Sequence, residues 1–197
     1  MRATVLRFAG VALALIAAPN VHAASDAAGE FAIKGPGDQS CARYDAVYRA
    51  QGKQADVMLG WVQGYLTAVN EHLPRTYDIV SWQSDELIAT TLAAFCRANP
   101  EMTVQTAMTA MVSRLAMDRV VEKSPVVEIA VADRRREMYQ ATVEQMQSRL
   151  SDRGYPVAVT GEYDPATQNS IAKFQASLEL EETGFPDPLT VARLFLQ

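Results

Sequence analysis

Cys41, Cys96, His22 and His72 are the only thiols and imidazoles in the 197 residues. The cysteines stand 55 positions apart, too far for a CxxC redox pair or a zinc knuckle. His22 falls in a removable leader described below, so His72 is left as the one imidazole. A zinc site with several imidazoles and a Ser-His-Asp triad are then both hard to assemble. His72 ends an apolar helical stretch and reads as a surface or capping side chain. A cysteine transpeptidase needs a thiolate beside a histidine, and no such pairing is evident. Glycan cleavage needs two carboxylates facing across a cleft. Glu71, Asp78, Asp85 and Glu86 show only ordinary surface placement. These absences predict a protein that is not an enzyme and has no cofactor and no metal site.

The first 23 residues set the compartment. Residues 1–7 are short and basic, residues 11–18 are apolar but too short to span a bilayer, and Pro19 breaks the run. Val21 and Ala23 are the small residues a signal peptidase reads, which predicts a cut after Ala23 and a periplasmic or secreted chain. The alternative is an uncleaved anchor. The residue directly after the cut is Ala24 and not a cysteine, which argues against a lipid anchor. In an oxidising compartment Cys41 and Cys96 are expected to pair, the alternative being two free thiols. Closing so long a loop contributes roughly 4 kcal/mol.

The chain holds 18 Lys+Arg against 23 Asp+Glu, a formal charge of −5. Arg2 and Arg7 leave with the leader, so the mature chain is more acidic still. This balance argues against a nucleic-acid partner, which needs a basic face. A hydrophobic share of 49% is globular. No stretch after the leader reaches about 18 uninterrupted apolar residues, so no membrane span is predicted.

The elements that hold these residues follow from periodicity. Residues 24–38 are small, polar and Gly/Pro-bearing, and read as a mobile N-terminus. Residues 39–118 read as four helices. Cys41, Tyr44 and Tyr48 share a face; Val57, Trp61, Tyr65 and Ala68 form one row, and Met58, Val62, Leu66 and Val69 another. Ser84 caps a helix whose face carries Ile88, Leu92, Phe95 and Cys96. Val104, Ala107, Met108, Met111, Val112 and Leu115 make the last stripe, with the methionines as core filler. The disulfide pins the first helix to the third. Trp61 and Tyr65 read as core. Trp82 and Tyr77, between helices, read as surface candidates for stacking on sugar.

Residues 119–136 carry Arg119, Lys123 and the triplet Arg134-Arg135-Arg136. Ser124-Pro125 can start a helix, so this segment reads as a basic helical connector, an extended link being the alternative. The triplet reads as a solvated face, with an anionic partner as the other reading.

From residue 137 the pattern changes. Val143, Met146 and Leu150 form a stripe ending at Gly154. Asp-Pro-x-x-Thr then occurs twice, at Asp164-Pro165-Ala166-Thr167 and Asp187-Pro188-Leu189-Thr190, each after a glycine at −3. This is an internal duplication of a turn-helix unit. Ile171, Phe174 and Leu178 are the buried row of the first copy.

On these residues the C-terminal third resembles the peptidoglycan-binding-domain-1 module, a compact three-helix domain appended to many cell-wall enzymes. The carriers are Val143, Met146, Gln147, Leu150, Gly154-Tyr155, Gly161, Tyr163, Asp164, Thr167, Ile171, Phe174-Gln175, Gly184, Pro186, Thr190 and Leu194. Thr160 stands where the family usually has Asp, and Asp164 where it often has Gly. The resemblance implies a peptidoglycan ligand. Tyr155, Tyr163, Thr167 and Gln175 are the candidate contacts. The competing reading packs the tyrosines over the turn glycines and spends Gln147 and Gln175 on turn backbone. The preceding helices resemble small exported helical proteins, the HdeA/HdeB-type acid-stress chaperones and the Tai-type immunity proteins of type VI secretion. The carriers there are Cys41-x-x-Tyr44, Trp61-x-x-Gly64-Tyr65-Leu66-x-x-x-Asn70, and Cys96-x-x-Asn99-Pro100 ahead of Ala107 and Leu115.

The expected fold class is therefore all-α. A disulfide-bonded helical domain (39–118), after the leader (1–23) and a flexible segment (24–38), leads through the connector (119–136) to the peptidoglycan-binding-like domain (137–197). The expected function is a non-catalytic envelope protein that binds peptidoglycan through its C-terminal module and a protein partner through residues 39–118. The alternative is a periplasmic acid-stress chaperone or a toxin-immunity protein with a structural C-terminal module.

Overall fold

Ser40, Ser84, Thr103 and Asp164 each turn a side-chain oxygen onto the backbone N–H three residues ahead, at 2.8–3.2 Å. Each satisfies a donor that has no partner inside its helix. Helices α1 (Cys41–Ala50), α3 (Asp85–Ala98), α4 (Val104–Leu115) and α6 (Pro165–Ser177) begin at these caps. The remaining helices are α2 (Lys53–His72), α5 (Gln140–Asp152) and α7 (Pro188–Leu196). The computed structural model describes residues 25, 26 and 28–196. The leader and its cut after Ala23 lie outside them. Among the described residues no helix is long and apolar enough to cross a membrane.

Residues 1–32 and 33–197 are separate units. In the first, Asp26 Oδ1 accepts the N–H groups of Ala28 and Glu30, both at 2.9 Å. In the second, part of the segment expected to be mobile is ordered. Gly35–Asp38 form a 3-10 turn whose Lys34 carbonyl accepts the Trp61 Nε1–H at 2.9 Å. Gly37 lies against that indole so closely that an added Cβ would sit 2.2 Å from the ring.

Helices α1–α4 close a first core around Leu92, Val104 and Met108, with no exposed surface on any of them. Cys41, the first residue of α1, and Cys96, in the last turn of α3, are bonded within it. Of the two rows read on α2, Met58, Val62 and Leu66 face the core, whereas Val57 is 64% exposed. A helix packed on one side can bury only about one such stripe. Met108 and Met111 fill the core as expected, while Met102 and Met117 are exposed. His72 is an exposed end of α2.

The fold is not purely all-α. Where a helical connector was expected, β1 (Val126–Val131) and β2 (Arg134–Tyr139) form an antiparallel hairpin. The physical reason is the period. Val127, Ile129 and Val131 alternate with Glu128 and Ala130, which gives a strand one apolar face but would scatter the same residues around a helix. Ile129, Val131 and Met138 are buried. The register sets Ile129 opposite Arg136 and Ala130 opposite Arg135, so the arginine triplet is divided between two faces. Arg135 lies 3.6 Å from Glu128, and Arg136 reaches the Pro186 carbonyl at 2.5 Å. Ser124 caps a helix, but not its own. Its Oγ accepts the Ala141 N–H at 3.0 Å, and the Pro125 carbonyl accepts the Gln140 N–H at 2.8 Å. Together they satisfy the first donors of α5.

A second core joins the hairpin to α5, α6 and α7 through Val143, Met146, Leu150, Ile171, Phe174 and Leu194. Trp82, expected at the surface, belongs to this core. It is 5% exposed and packs 5.0 Å from the Phe195 ring. Tyr77 is 38% exposed and meets Tyr139 edge-on at 5.8 Å. Arg149 lies 4.5 Å over the same Phe195 ring and pairs with Asp118. Burial raises the Asp118 carboxyl above its ordinary value, against the pull of Arg149.

Candidate functional site

The C-terminal module is built on two turns of the same design. In the first, Gln147 Oε1 accepts the N–H groups of Thr160 and Gly161 at 2.8 and 2.9 Å. Its Nε2 donates to the Glu162 carbonyl and to Thr167 Oγ1, at 2.8 and 2.9 Å. In the second, Gln175 Oε1 accepts the Gly184 N–H at 2.8 Å. Its Nε2 donates to the Phe185 carbonyl and to Thr190 Oγ1, at 2.9 and 3.0 Å. A buried primary amide is suited to this because it offers acceptor and donors on one planar group.

The Asp-Pro-x-x-Thr phrase closes each turn onto its helix. Thr167 donates its hydroxyl to Asp164 Oδ1 at 2.7 Å, and Thr190 donates to Asp187 Oδ2 at 2.6 Å. The hydrogen bonds from the Thr167 hydroxyl and N–H hold the Asp164 carboxyl below its ordinary value. Gly161 and Gly184 have φ of +75° and +64°. Each also presses on a glutamine of a neighbouring helix. An added Cβ would meet Gln140 Cγ at 2.4 Å or Gln168 Cγ at 2.6 Å. Only glycine meets both demands.

The departures from the family pattern are accounted for by these contacts. Thr160 Oγ1 accepts the Glu162 N–H at 3.2 Å, a short-range acceptor role that an Asp side chain also fills. Asp164 is the cap of α6.

The four candidate contacts separate clearly. Thr167 and Gln175 are fully buried and engaged in the turns, so neither presents surface to a ligand. Tyr163 is half-buried and donates its hydroxyl to the Gly184 carbonyl at 2.6 Å, tying one turn to the other. Burial raises its phenol far above the ordinary value, against Arg136. Tyr155 is half-buried with its ring edge-on to Phe174 at 5.6 Å. Among the described residues its hydroxyl has no protein partner. Val159, which the sequence reading passed over, is 56% exposed in the loop between Tyr155 and Thr160. The signal was a second valine two positions after Val157, which packs against the core, in the run Tyr155-Pro156-Val157-Ala158-Val159.

The acids considered for catalysis serve separate local contacts. Asp85 accepts from Gln63 at 2.8 Å, Asp78 from the Val80 N–H at 2.9 Å, and Glu86 from Tyr48 at 3.1 Å. Among the described residues no three His, Cys, Asp or Glu side chains are grouped as a metal site.

Three helices, α5, α6 and α7, joined by two glutamine-braced turns make up the C-terminal module. Residues 139–194 match the family described as putative peptidoglycan binding domain, so the C-terminal module is of the peptidoglycan-binding-domain-1 type. The match covers this segment and not the helices before it. No curated protein and no solved structure matches the chain.

Proposed function

We propose that the chain is a non-catalytic protein of the cell envelope that docks on peptidoglycan through its C-terminal module. The family match over residues 139–194 carries this reading. The Cys41–Cys96 bond supports an oxidising, extracytoplasmic location. Ligand contact falls to Tyr155 and Val159 on the loop before Gly161. Thr167 acts behind that loop by holding its shape, Tyr163 ties it to the second turn, and Gln175 braces that second turn. From residue 137 onward the chain has nine acidic and four basic side chains. Binding therefore rests on stacking and hydrogen bonds to glycan or stem peptide, not on bulk charge. Residues 39–118 form a second functional unit that engages a protein partner.

The test is retention of the mature chain on purified sacculi. Retention above a control protein is expected, and Tyr155→Ala with Val159→Asp should reduce it. Retention no greater than the control would defeat the wall-binding reading.

A further inference from the structure

Between α1, α2 and α3 lies a cavity of about 190 Å³ that the wall-binding reading does not use. It is smaller than the roughly 300–1,000 Å³ typical of drug-sized ligands, and suits one side-chain-sized group. Val47 and Met58 supply buried apolar wall. Asp56 and Glu86 bring two carboxylates, and no Lys, Arg or His is among the lining residues. Glu86 is held in place, since Tyr48 donates to its Oε1 at 3.1 Å while also meeting Thr90 Oγ1 at 2.8 Å. Tyr44 is buried, and its hydroxyl has only a long 3.5 Å contact to the Ala89 carbonyl. Burial pushes that phenol up to about 12, so it stays neutral and its oxygen remains a hydrogen-bond acceptor.

An alkyl stem gains by leaving water against the apolar wall. A positive head gains from two carboxylates that no lining cation neutralises. A bare divalent ion would find too few ligands, because no group of three acidic side chains is present among the described residues. We propose that this cavity binds a primary ammonium on an unbranched alkyl stem, as the side chain of a peptide-borne lysine presents it. The proposal stands independently of wall binding.

The test is a titration of the isotopically labelled mature chain, followed by NMR, with three probes. These are Nα-acetyl-lysine methylamide, its neutral norleucine analogue, and free 1,5-diaminopentane. Saturable shifts are expected at Tyr44, Tyr48 and Glu86, with the lysine amide binding at least about threefold more tightly than the norleucine analogue. Asp56→Asn and Glu86→Gln should each weaken it by about threefold. Both residues are exposed, and unchanged spectra elsewhere would show that the variants remain folded. Tighter binding of the diamine than of the lysine amide would support the ammonium site but overturn the peptide-borne source. Equal affinity for norleucine, or affinity indifferent to both substitutions, would overturn the proposal.

Discussion

Gln147 and Gln175 hold the same place in two successive turns, each side-chain oxygen accepting a turn-glycine N–H, from Gly161 at 2.9 Å and from Gly184 at 2.8 Å. Both amides are buried, so no water takes over if one is removed. Gln175→Ala should therefore cost about 3 kcal/mol by leaving buried turn groups unpaired. The exposed Lys173→Ala on the same helix should stay within about 0.5 kcal/mol. Urea unfolding of the two variants measures the difference. Similar midpoints would mean that the amide does not brace the turn.

Gly161 and Gly154 separate steric from conformational cost. Both have positive φ, +75° and +85°, but only Gly161 lacks room for a Cβ. Gly154→Ala should cost about 1 kcal/mol. Gly161→Ala should cost about 3 kcal/mol, because Gln140 must also move. Equal thermal shifts for the two would contradict the close packing of Gln140 on the turn.

The cysteine pair gives a test of how far the two cores are joined. Cys41→Ser with Cys96→Ser should remove about 4 kcal/mol. Read from sequence alone, the C-terminal module should melt on its own and ignore this change. Trp82 alters the expectation, since it precedes α3, which carries Cys96, yet packs in the second core with Leu87 of α3 beside it. With Trp61→Phe as background, Trp82 is the one remaining tryptophan. Its emission and the far-UV signal should shift down together. An unmoved Trp82 transition would show that the cores melt separately. Thiol titration of the unfolded, unreduced protein should find no free thiol.

Asp164 predicts an acid-side dependence. Its carboxyl is depressed in the folded state, so the capping stability it contributes is present above the unfolded value of 3.8 and is lost as pH falls through the lower folded value. Asp164→Asn should flatten the stability profile below about pH 4 while keeping the cap. Asp118 runs in the opposite sense. Its raised value means that the cost of burying the charge applies above the folded value and is relieved as pH falls. An unchanged acid slope in Asp164→Asn would remove Asp164 as its source.

What could be read from the chain alone was what neighbours within one turn decide. Ser84 and Asp164 were legible as caps because a cap needs only its own oxygen and the N–H three residues ahead. The duplicated Asp-Pro-x-x-Thr phrase marked both turns, and the expected compartment paired the cysteines. The hairpin was legible in principle, through the alternation of Val127, Ile129 and Val131, but Ser124-Pro125 also fits a helix start, and local pattern does not decide between them. Other features were decided only when distant segments docked. Trp82 is buried because Phe195 of α7 arrives beside it. Ser124 caps α5 because the hairpin returns the chain to it. Gln175 and Thr167 are buried because the turns fold over them. Such contacts join residues far apart in the chain, and their partners are set by how whole apolar faces are buried, which no local pattern specifies.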